Sequence, residues 1–254
     1  KLHCTSWNVN QASALILCSE DIADKLNIPY KKRIYPLASS ENNHMLALIQ
    51  RENLINPVGM KLAAKNIKNI LSSLNRDIDY YDLYSCFPIA VQMFCDSLEL
   101  NQSSPLTITG GMSFAGGPLN HYVLSSTTQL IDKLRESSNK VGLITGVSGL
   151  ITKQSYALWS DKYFDNFSYV DVTTKAKEFD KPLSLSHKKS GTATIVGYTI
   201  LLDENKNKKA VIYAVLNDKK RLILNSKNLE AIESMENVEW IGKKIEFRNG
   251  SLVY

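Results

Sequence analysis

One glycine-rich segment constrains the fold of this chain more than any other part of its sequence. Residues 110–121 read GGMSFAGGPLNH, and the four glycines allow backbone conformations and close approaches that a Cβ would prevent. Pro118 is predicted to open a helix whose first turn carries Asn120 and His121. Because a helix start favours negative charge, the loop is predicted to face an anion or a carbonyl oxygen that gains charge during a reaction. A tight turn without a ligand is an equally good interpretation.

Strand-like and helix-like patterns alternate around this loop and predict an α/β fold, with a mixed or mostly parallel sheet and helices on its faces. Ser19 and Ser85 are predicted to cap the starts of two of the helices. The predicted strands are 12–18, 33–37, 82–85, 105–109, 141–145 and 150–160. The predicted helices are 20–26, 57–74, one that begins near residue 85 and one that begins at residue 118.

The pattern changes after residue 160. Residues 162–190 are polar and are predicted to be a linker with at most a turn of helix, so that the first domain covers 1–161. From Gly191 onward, short β-branched runs alternate with turns, and one helix is predicted at 228–235. Five short strands and a helix predict a small, OB-like β-barrel domain over 191–254.

The composition is that of an ordinary soluble globular protein, with 44% hydrophobic and 22% charged residues. No apolar run is long enough to span a bilayer and no signal peptide is recognisable, so a cytoplasmic protein is predicted. Four cysteines without CxxC spacing are expected to be reduced thiols, with no disulfide and no metal site. Because the first residue is Lys1 and not Met, we expect a fragment of a longer chain.

Six segments follow one another in an order known from one protein family. They are WNVNQ with ALILCS at 7–19, YPLA with ENNH at 35–44, DLYSCF at 82–87, the glycine loop at 110–118, the strand pair at 142–153 and GTATIVGYTILL at 191–202. Together they resemble the C-terminal half of a thiolase, and in particular of the thiolase-like acetyl-CoA acetyltransferases that carry a small additional C-terminal β-domain. The resemblance covers nearly the whole chain.

The resemblance implies a substrate, a reaction and a partner. The substrate would be coenzyme A or an acyl-CoA, with no tightly bound cofactor. The reaction would be acyl transfer, or the making or breaking of a carbon–carbon bond beside a thioester, in lipid metabolism. The nucleophilic cysteine of the family lies in the N-terminal half, which is absent here and would be the missing partner. We therefore expect these 254 residues alone to be inactive, and the resemblance also allows a homo-oligomer.

The catalytic positions of the family differ in this chain. Where thiolases have the His of Gly-His-Pro, the Cys of a Cys-x-Gly turn and an Asn or His before the second helix, this sequence has Gly117, Gly146 and Tyr84. A glycine cannot take up a proton or polarise a thioester through its side chain. The alternative function is therefore a degenerate relative that binds acyl-CoA or a partner protein without turnover.

Four side chains are candidates to replace the missing groups. His121 is a candidate base or oxyanion donor, although a lone His on a helix is more often structural. Asn120 is a candidate donor to a thioester carbonyl, with capping or turn formation as the alternative. Cys86 lies near a helix start that favours a thiolate, yet a packed thiol explains it better. Tyr84 offers a hydroxyl or only fills volume.

Ligand contacts are predicted at Gly116, Gly117 and Gly146, and also at His44, for which an exposed loop position is the favoured alternative. A further alternative is that the barrel binds nucleic acid, since residues 183–254 carry a surplus of positive charge. Aromatic residues are also needed in the core of any small barrel, and nucleic acid is therefore not expected as a partner. Residues that prompted this alternative are Tyr198, Tyr213, Arg221, Lys243, Lys244 and Phe247.

Overall fold

The computed structural model describes residues 3–254, which divide into two compact units. Unit 1 contains the described part of Lys1–Met45 together with Ile55–Phe179, and unit 2 contains Leu46–Leu54 and Asp180–Tyr254. The chain thus enters unit 2 briefly, returns to unit 1 and finishes in unit 2. This division differs from the predicted boundaries at 161 and 191, and the first two residues of the predicted first domain lie outside the described residues.

Unit 1 is built on a five-stranded mixed sheet with the strand order β2-β3-β4-β1-β5. β2 runs parallel to β3 and β5 runs parallel to β1, while β3, β4 and β1 are joined by antiparallel pairing. The predicted mixed sheet is confirmed. The strands are β1 Tyr35–Asn42, β2 Tyr80–Asp82, β3 Val141–Ser148, β4 Lys153–Ser160 and β5 Ser168–Asp171.

Helices pack on this sheet through stripes of apolar side chains. α2 buries Met60, Ala63, Ile67 and Leu71, which recur at the three- and four-residue spacing of a helix face. Ser19 caps α1 through a hydrogen bond from the backbone N–H of Ile22, as predicted. The helices are α1 Glu20–Lys25, α2 Val58–Ser73, α3 Pro88–Leu98, α4 Tyr122–Arg135 and α5 Thr173–Phe179.

Two strand predictions in unit 1 are wrong. Residues 12–18 form no strand, and Ile16 and Leu17 are 94% and 81% exposed. Residues 105–109 form a loop whose backbone is held by a carboxylate, because Asp82 accepts from the N–H groups of Ile108 and Thr109. The predicted linker is also wrong in its first half, since β5 and α5 belong to unit 1.

The start of α4 lies four residues later than predicted. His121 is the N-cap residue and Tyr122 is the first helical residue, so Asn120 precedes the helix. Leu119 has a left-handed backbone with φ near 50°, which ends the turn that Pro118 begins. This turn, and not a turn of helix, positions Asn120.

Unit 2 contains a closed five-stranded barrel with the strand order β10-β8-β7-β6-β9. Neighbouring strands are antiparallel except β8 and β10, which pair in parallel. A helix, α6 Leu229–Asn237, connects β8 to β9 and is capped by Asn228. The barrel predicted from the alternating pattern is confirmed. Its strands are β6 Ser190–Leu202, β7 Lys208–Val215, β8 Arg221–Ser226, β9 Lys244–Arg248 and β10 Ser251–Val253.

Within residues 3–254, no helix combines the length and the apolar character needed to cross a bilayer. The same residues contain no cluster of three or more His, Cys, Asp or Glu side chains that could hold a metal ion. All four cysteines are free thiols. The cytoplasmic location stays a prediction.

Candidate functional site

A cleft in unit 1 brings together three of the predicted site residues, Tyr84, Asn120 and Gly146. Tyr84 follows β2, Asn120 lies in the turn before α4, and Gly146 lies on β3. Because the three come from separate segments of the sequence, only the fold can place them around one cavity of about 340 Å³. The other lining residues are Glu41, Asn43, Leu119, Val123, Val147, Ser148, Lys153, Gln154 and Ser155.

Tyr84 is fixed by contacts on two sides. Its backbone N–H donates to Thr145 Oγ1 on β3 at 2.8 Å. Its ring packs edge-on against the ring of Tyr122, with 5.7 Å between the ring centroids. Burial raises the pKa of the Tyr84 hydroxyl above its ordinary value, so this group is protonated at neutral pH and can donate a hydrogen bond.

A buried carboxylate holds the wall of the cleft together. Asp82, which is 1% exposed, accepts the hydroxyl of Tyr122 on one oxygen at 2.7 Å. Its other oxygen accepts from Thr107 Oγ1 and from the N–H groups of Ile108 and Thr109, all within 3.1 Å. Asp82 therefore joins β2, the loop after α3 and the first residue of α4.

Gly146 and its partner strand form a polar part of the cleft. Gly146 pairs with Ser155 on β4, and a Cβ at Gly146 would lie 2.6 Å from Ser155 Oγ. The missing side chain therefore leaves room beside Ser155. Lys153, two residues before Ser155 on the same face of β4, adds a positive charge.

The cleft provides hydrogen-bond donors but few groups that could accept a proton. Tyr84, Asn120 and Lys153 can donate to a carbonyl or to an anion. Neither His nor Cys occurs among the described lining residues. The carboxylate there belongs to Glu41, which already accepts the hydroxyl of Tyr169 at 2.6 Å. The cleft is therefore suited to hold a polarised carbonyl or an anion.

The glycine loop itself packs against the chain's own first residues. A Cβ at Gly116 would lie 2.2 Å from Val9, and a Cβ at Gly117 would lie 2.1 Å from Met112 Cε. The backbone N–H of Gly117 donates to the carbonyl of Ser6 at 2.9 Å. The space that these glycines provide is thus filled by the protein, and the predicted ligand contacts at Gly116 and Gly117 receive no support from this geometry.

Comparison with solved structures identifies the fold. No protein-family model matches the sequence, and no curated protein matches it. A monomeric SCP2-thiolase-like protein type 1 from Mycobacterium smegmatis matches with a TM-score of 0.79 and 24% sequence identity. The match covers 92% of this chain and 53% of that one, so the chain spans about half the length of this neighbour. The chain has a thiolase-type fold.

Two further solved thiolases match over a smaller part of this thiolase-type chain. The Acat5 thiolase from Ascaris suum, crystallised with coenzyme A, covers 56% of this chain and 34% of its own, with a TM-score of 0.38 at 18% identity. The dimeric peroxisomal thiolase of Saccharomyces cerevisiae has the same TM-score and identity and covers 56% of this chain and 33% of its own. The relationship to thiolases predicted from the six segments is confirmed, at the level of the fold, by the Mycobacterium smegmatis neighbour.

Two of the candidate catalytic residues lie apart from the cleft-lining set. His121 Nε2 is 3.2 Å from Ser13 Oγ, and His121 is not among the described lining residues. The carbonyl of Cys86 accepts two hydrogen bonds from Thr5, and burial raises the pKa of the Cys86 thiol. A protonated, packed thiol is what these contacts favour. The surroundings of Cys86 therefore agree with the packed thiol that the sequence favours, and they give the thiolate alternative no support.

Two other residues differ from prediction in their local role. Ser85 does not cap α3, because Phe87 is the N-cap residue. The Ser85 hydroxyl accepts instead from the N–H of Met112 at 2.8 Å and so fixes the glycine loop. His44 donates its backbone N–H to Asn42 Oδ1 at 3.1 Å, while its neighbour Asn43 lines the cleft in its place.

Sequence reasoning missed Glu41, Lys153 and Ser155 as lining residues. Lys153 and Ser155 alternate along β4, and this period of two places both side chains on one face of the sheet. The start of β4 was predicted three residues too early, within the turn at Leu150. A correct strand boundary would have pointed to both residues.

Proposed function

We propose that the cleft of unit 1 binds an acyl-CoA thioester. The observation that carries the proposal is the convergence of Tyr84, Asn120 and Gly146 on one cavity, because the resemblance aligns Tyr84 and Gly146 with catalytic positions of thiolases. The Tyr84 hydroxyl and the Asn120 amide would donate hydrogen bonds to the thioester carbonyl oxygen. Lys153 would stabilise negative charge on the ligand.

The same two donors would support acyl transfer in a complete thiolase-type protein. When a nucleophile attacks the thioester carbon, the carbonyl oxygen gains negative charge, and preorganised donors stabilise that oxyanion. The nucleophile and the proton acceptor would come from outside these 254 residues, because neither His nor Cys lines the described part of the cleft. Acyl transfer is therefore the proposed activity of the assembled protein, and this chain alone is expected to show none.

Binding without turnover is the second candidate function. It is favoured by the glycines at positions 117 and 146, where the thiolase motifs carry His and Cys. A whole protein that binds acyl-CoA in this cleft and shows no thiolysis of acetoacetyl-CoA would establish this second function.

Titration calorimetry with coenzyme A and acetyl-CoA tests the binding proposal. We expect Asn120→Ala and Tyr84→Phe each to weaken acetyl-CoA binding by about three- to tenfold, the effect of losing one hydrogen bond. Tyr163→Phe, which keeps its ring contact with Tyr35, and Asn205→Ala in the β6–β7 turn are the matched controls. Unchanged affinity in both cleft variants would show that the ligand binds elsewhere.

We also propose that the remaining part of the thiolase-type fold is supplied by a further polypeptide segment, on the same chain or on a separate one. The support is the coverage: almost all of this chain matches about half of a neighbour that is itself monomeric. In that neighbour, one chain holds both the matched part and the rest of the protein.

We propose that the barrel of unit 2 is OB-like. Around the barrel, the strands follow one another in the order β6, β7, β8, β10, β9, and β9 closes onto β6. In the sequence, α6 lies between β8 and β9, the third and fourth strands, as in a five-stranded Greek-key barrel. Two residues that prompted the nucleic-acid alternative are internal, since Phe247 is 2% and Arg221 is 4% exposed. These two side chains are not available for base stacking or phosphate contact.

A further inference from the structure

The cleft of unit 1 contains a positive charge that no ion pair neutralises among residues 3–254. This charge belongs to Lys153, which lines the cavity and is half-buried at the start of β4. None of the ion pairs between described residues includes Lys153. A cation that has lost part of its hydration without gaining an ionic partner favours an anion beside it. The cleft therefore favours a ligand with a negative charge of its own.

The carboxylate of Glu41 also lines the cleft, but it is engaged by a different strand. In the sheet, β1 lies between β4 and β5. Glu41 on β1 accepts the hydroxyl of Tyr169, which is on β5, at 2.6 Å. Lys153 is on β4, at the opposite side of β1. The Glu41 carboxylate is thus held by β5 and leaves the Lys153 ammonium group available to a ligand.

The strand register places Lys153 a short distance from the hydrogen-bond donors of the cleft. Gly146 pairs with Ser155, and Ser148 pairs with Lys153. The backbone N–H of Tyr84 bonds to β3 beside Gly146, which puts Tyr84 at the level of that glycine. Two residues along an antiparallel strand span about 6.8 Å. A ligand that meets both Tyr84 and Lys153 therefore needs a carbonyl and an anionic group separated by a short chain.

The size of the cavity limits which part of an acyl-CoA it can take up. Its volume of about 340 Å³ is near the lower end of the range for ligand pockets. An acyl group and its thioester suit this volume, whereas the nucleotide of coenzyme A with its phosphates needs additional space. The anionic group beside Lys153 is therefore expected on the acyl chain.

We propose that the cleft of unit 1 selects acyl-CoA thioesters whose acyl chain ends in a carboxylate, with Lys153 as the specificity-determining residue. The inference rests on the acyl-CoA binding put forward under the proposed function and names its substrate class. With the thioester carbonyl at Tyr84, an acyl group of succinyl length would bring its free carboxylate to the Lys153 ammonium group. The hydroxyl of Ser148, directly opposite Lys153 on β3, would donate a second hydrogen bond to that carboxylate.

Titration calorimetry on the 254-residue chain compares succinyl-CoA with butyryl-CoA, which has the same number of carbons and no carboxylate. We expect succinyl-CoA to bind about tenfold more tightly, as one charge-assisted hydrogen bond predicts. Lys153→Met should remove most of this preference, and Lys153→Arg should retain part of it because the charge remains. Lys65→Met, at an exposed position of α2, is the matched control and should keep the whole preference.

The pantetheine thioesters of the same two acyl groups lack the nucleotide and its phosphates, so they separate the two sources of negative charge. A succinyl preference with both carriers supports the proposal. If Lys153→Met weakens succinyl-CoA and butyryl-CoA equally and has no effect on the pantetheine thioesters, Lys153 binds a phosphate and the proposal is overturned. Equal affinity of the unaltered chain for succinyl-CoA and butyryl-CoA would overturn this inference alone. Failure of every thioester to bind would overturn the acyl-CoA proposal as well.

Discussion

The turn before α4 has glycines on both of its sides, but the two sides differ in what occupies the space beside these glycines. On one side, Gly116 and Gly117 lie against Val9, Met112 and Ser6 of the same chain. On the other side, Asn120 faces a cleft beside Tyr84 and Gly146, and no segment of residues 3–254 fills that cleft. One side is closed by the protein and the other is open.

The comparison shows what a glycine-rich loop does and does not indicate. The absence of a Cβ permits close approach, but the approaching group can be a ligand or the protein's own backbone. The two sides differ because polar side chains that carry hydrogen-bond donors converge on the open side and not on the closed side. The following predictions test this difference, beginning with the largest expected effect.

The first prediction concerns the closed side. Gly116→Val should lower the free energy of unfolding by about 3 kcal/mol or more, because φ is near 81° and the new side chain would overlap Val9. Gly250→Val is the matched control, with φ near 75° and no atom within 4 Å of the added Cβ, so that it reports the backbone strain alone. Urea unfolding measures both. Equal losses in the two variants would contradict close packing at Gly116.

The second prediction concerns the Asp82 carboxylate, which joins β2, the loop after α3 and the first residue of α4. Asp82→Asn should lower the free energy of unfolding by about 2–3 kcal/mol, since the amide nitrogen cannot accept one of the present hydrogen bonds and the charge is lost. Asp165→Asn, at an exposed bend, should change stability by less than about 0.5 kcal/mol. A stable Asp82→Asn protein would show that the loop 107–109 is held by other contacts.

The third prediction compares thiols and depends on pH. Cys18 is exposed, whereas burial raises the pKa of Cys86, so Cys86 has less thiolate near neutral pH. Iodoacetamide at pH 7.5 should therefore alkylate Cys18 at least about tenfold faster than Cys86. The rate of the Cys86 reaction should keep rising at pH values at which an ordinary thiol is already fully ionised and reacts at its limiting rate. Peptide mapping by mass spectrometry follows both sites, and equal rates at pH 7.5 would count against a closed environment for Cys86.

The smallest effect is expected on the open side. Leu119 is 85% exposed with φ near 50°, a conformation that Asn tolerates better than Leu. Leu119→Asn should therefore raise the free energy of unfolding by about 0.5 kcal/mol. Leu229→Asn, at the exposed first position of α6, lacks this strain and is the control. A clear loss of stability in Leu119→Asn would reveal a packing contact on the side described as open.

Sequence patterns predicted most of the helices and strands for which the local sequence signal agrees with the tertiary contacts. α1 has its Ser19 cap, α2 has a clear apolar face, and the barrel strands alternate between turns. Predictions failed where a distant residue decides the structure. Residues 105–109 look like a strand, yet the N–H groups of Ile108 and Thr109 donate to the Asp82 carboxylate, which lies 26 and 27 residues earlier in the chain.

The candidate site was also predictable only in part, because local motifs indicate some of its residues and contacts with distant residues decide the others. Tyr84, Asn120 and Gly146 stand in recognisable motifs, and the fold brings them together. His121 could not be placed from the sequence, because its orientation depends on Ser13 and on where α4 begins. One-residue differences in a turn decide which side chain faces a cavity.

The short passage of Leu46–Leu54 through unit 2 has a consequence for biosynthesis. The carbonyl of Gln50 accepts from Leu183, and that of Glu52 accepts from Arg221, so the barrel unit includes residues made well over a hundred positions before its first strand. During translation, this passage leaves the ribosome long before the strands that it contacts. A gene fragment that encodes only the later residues would therefore yield a barrel with a strip of its surface missing.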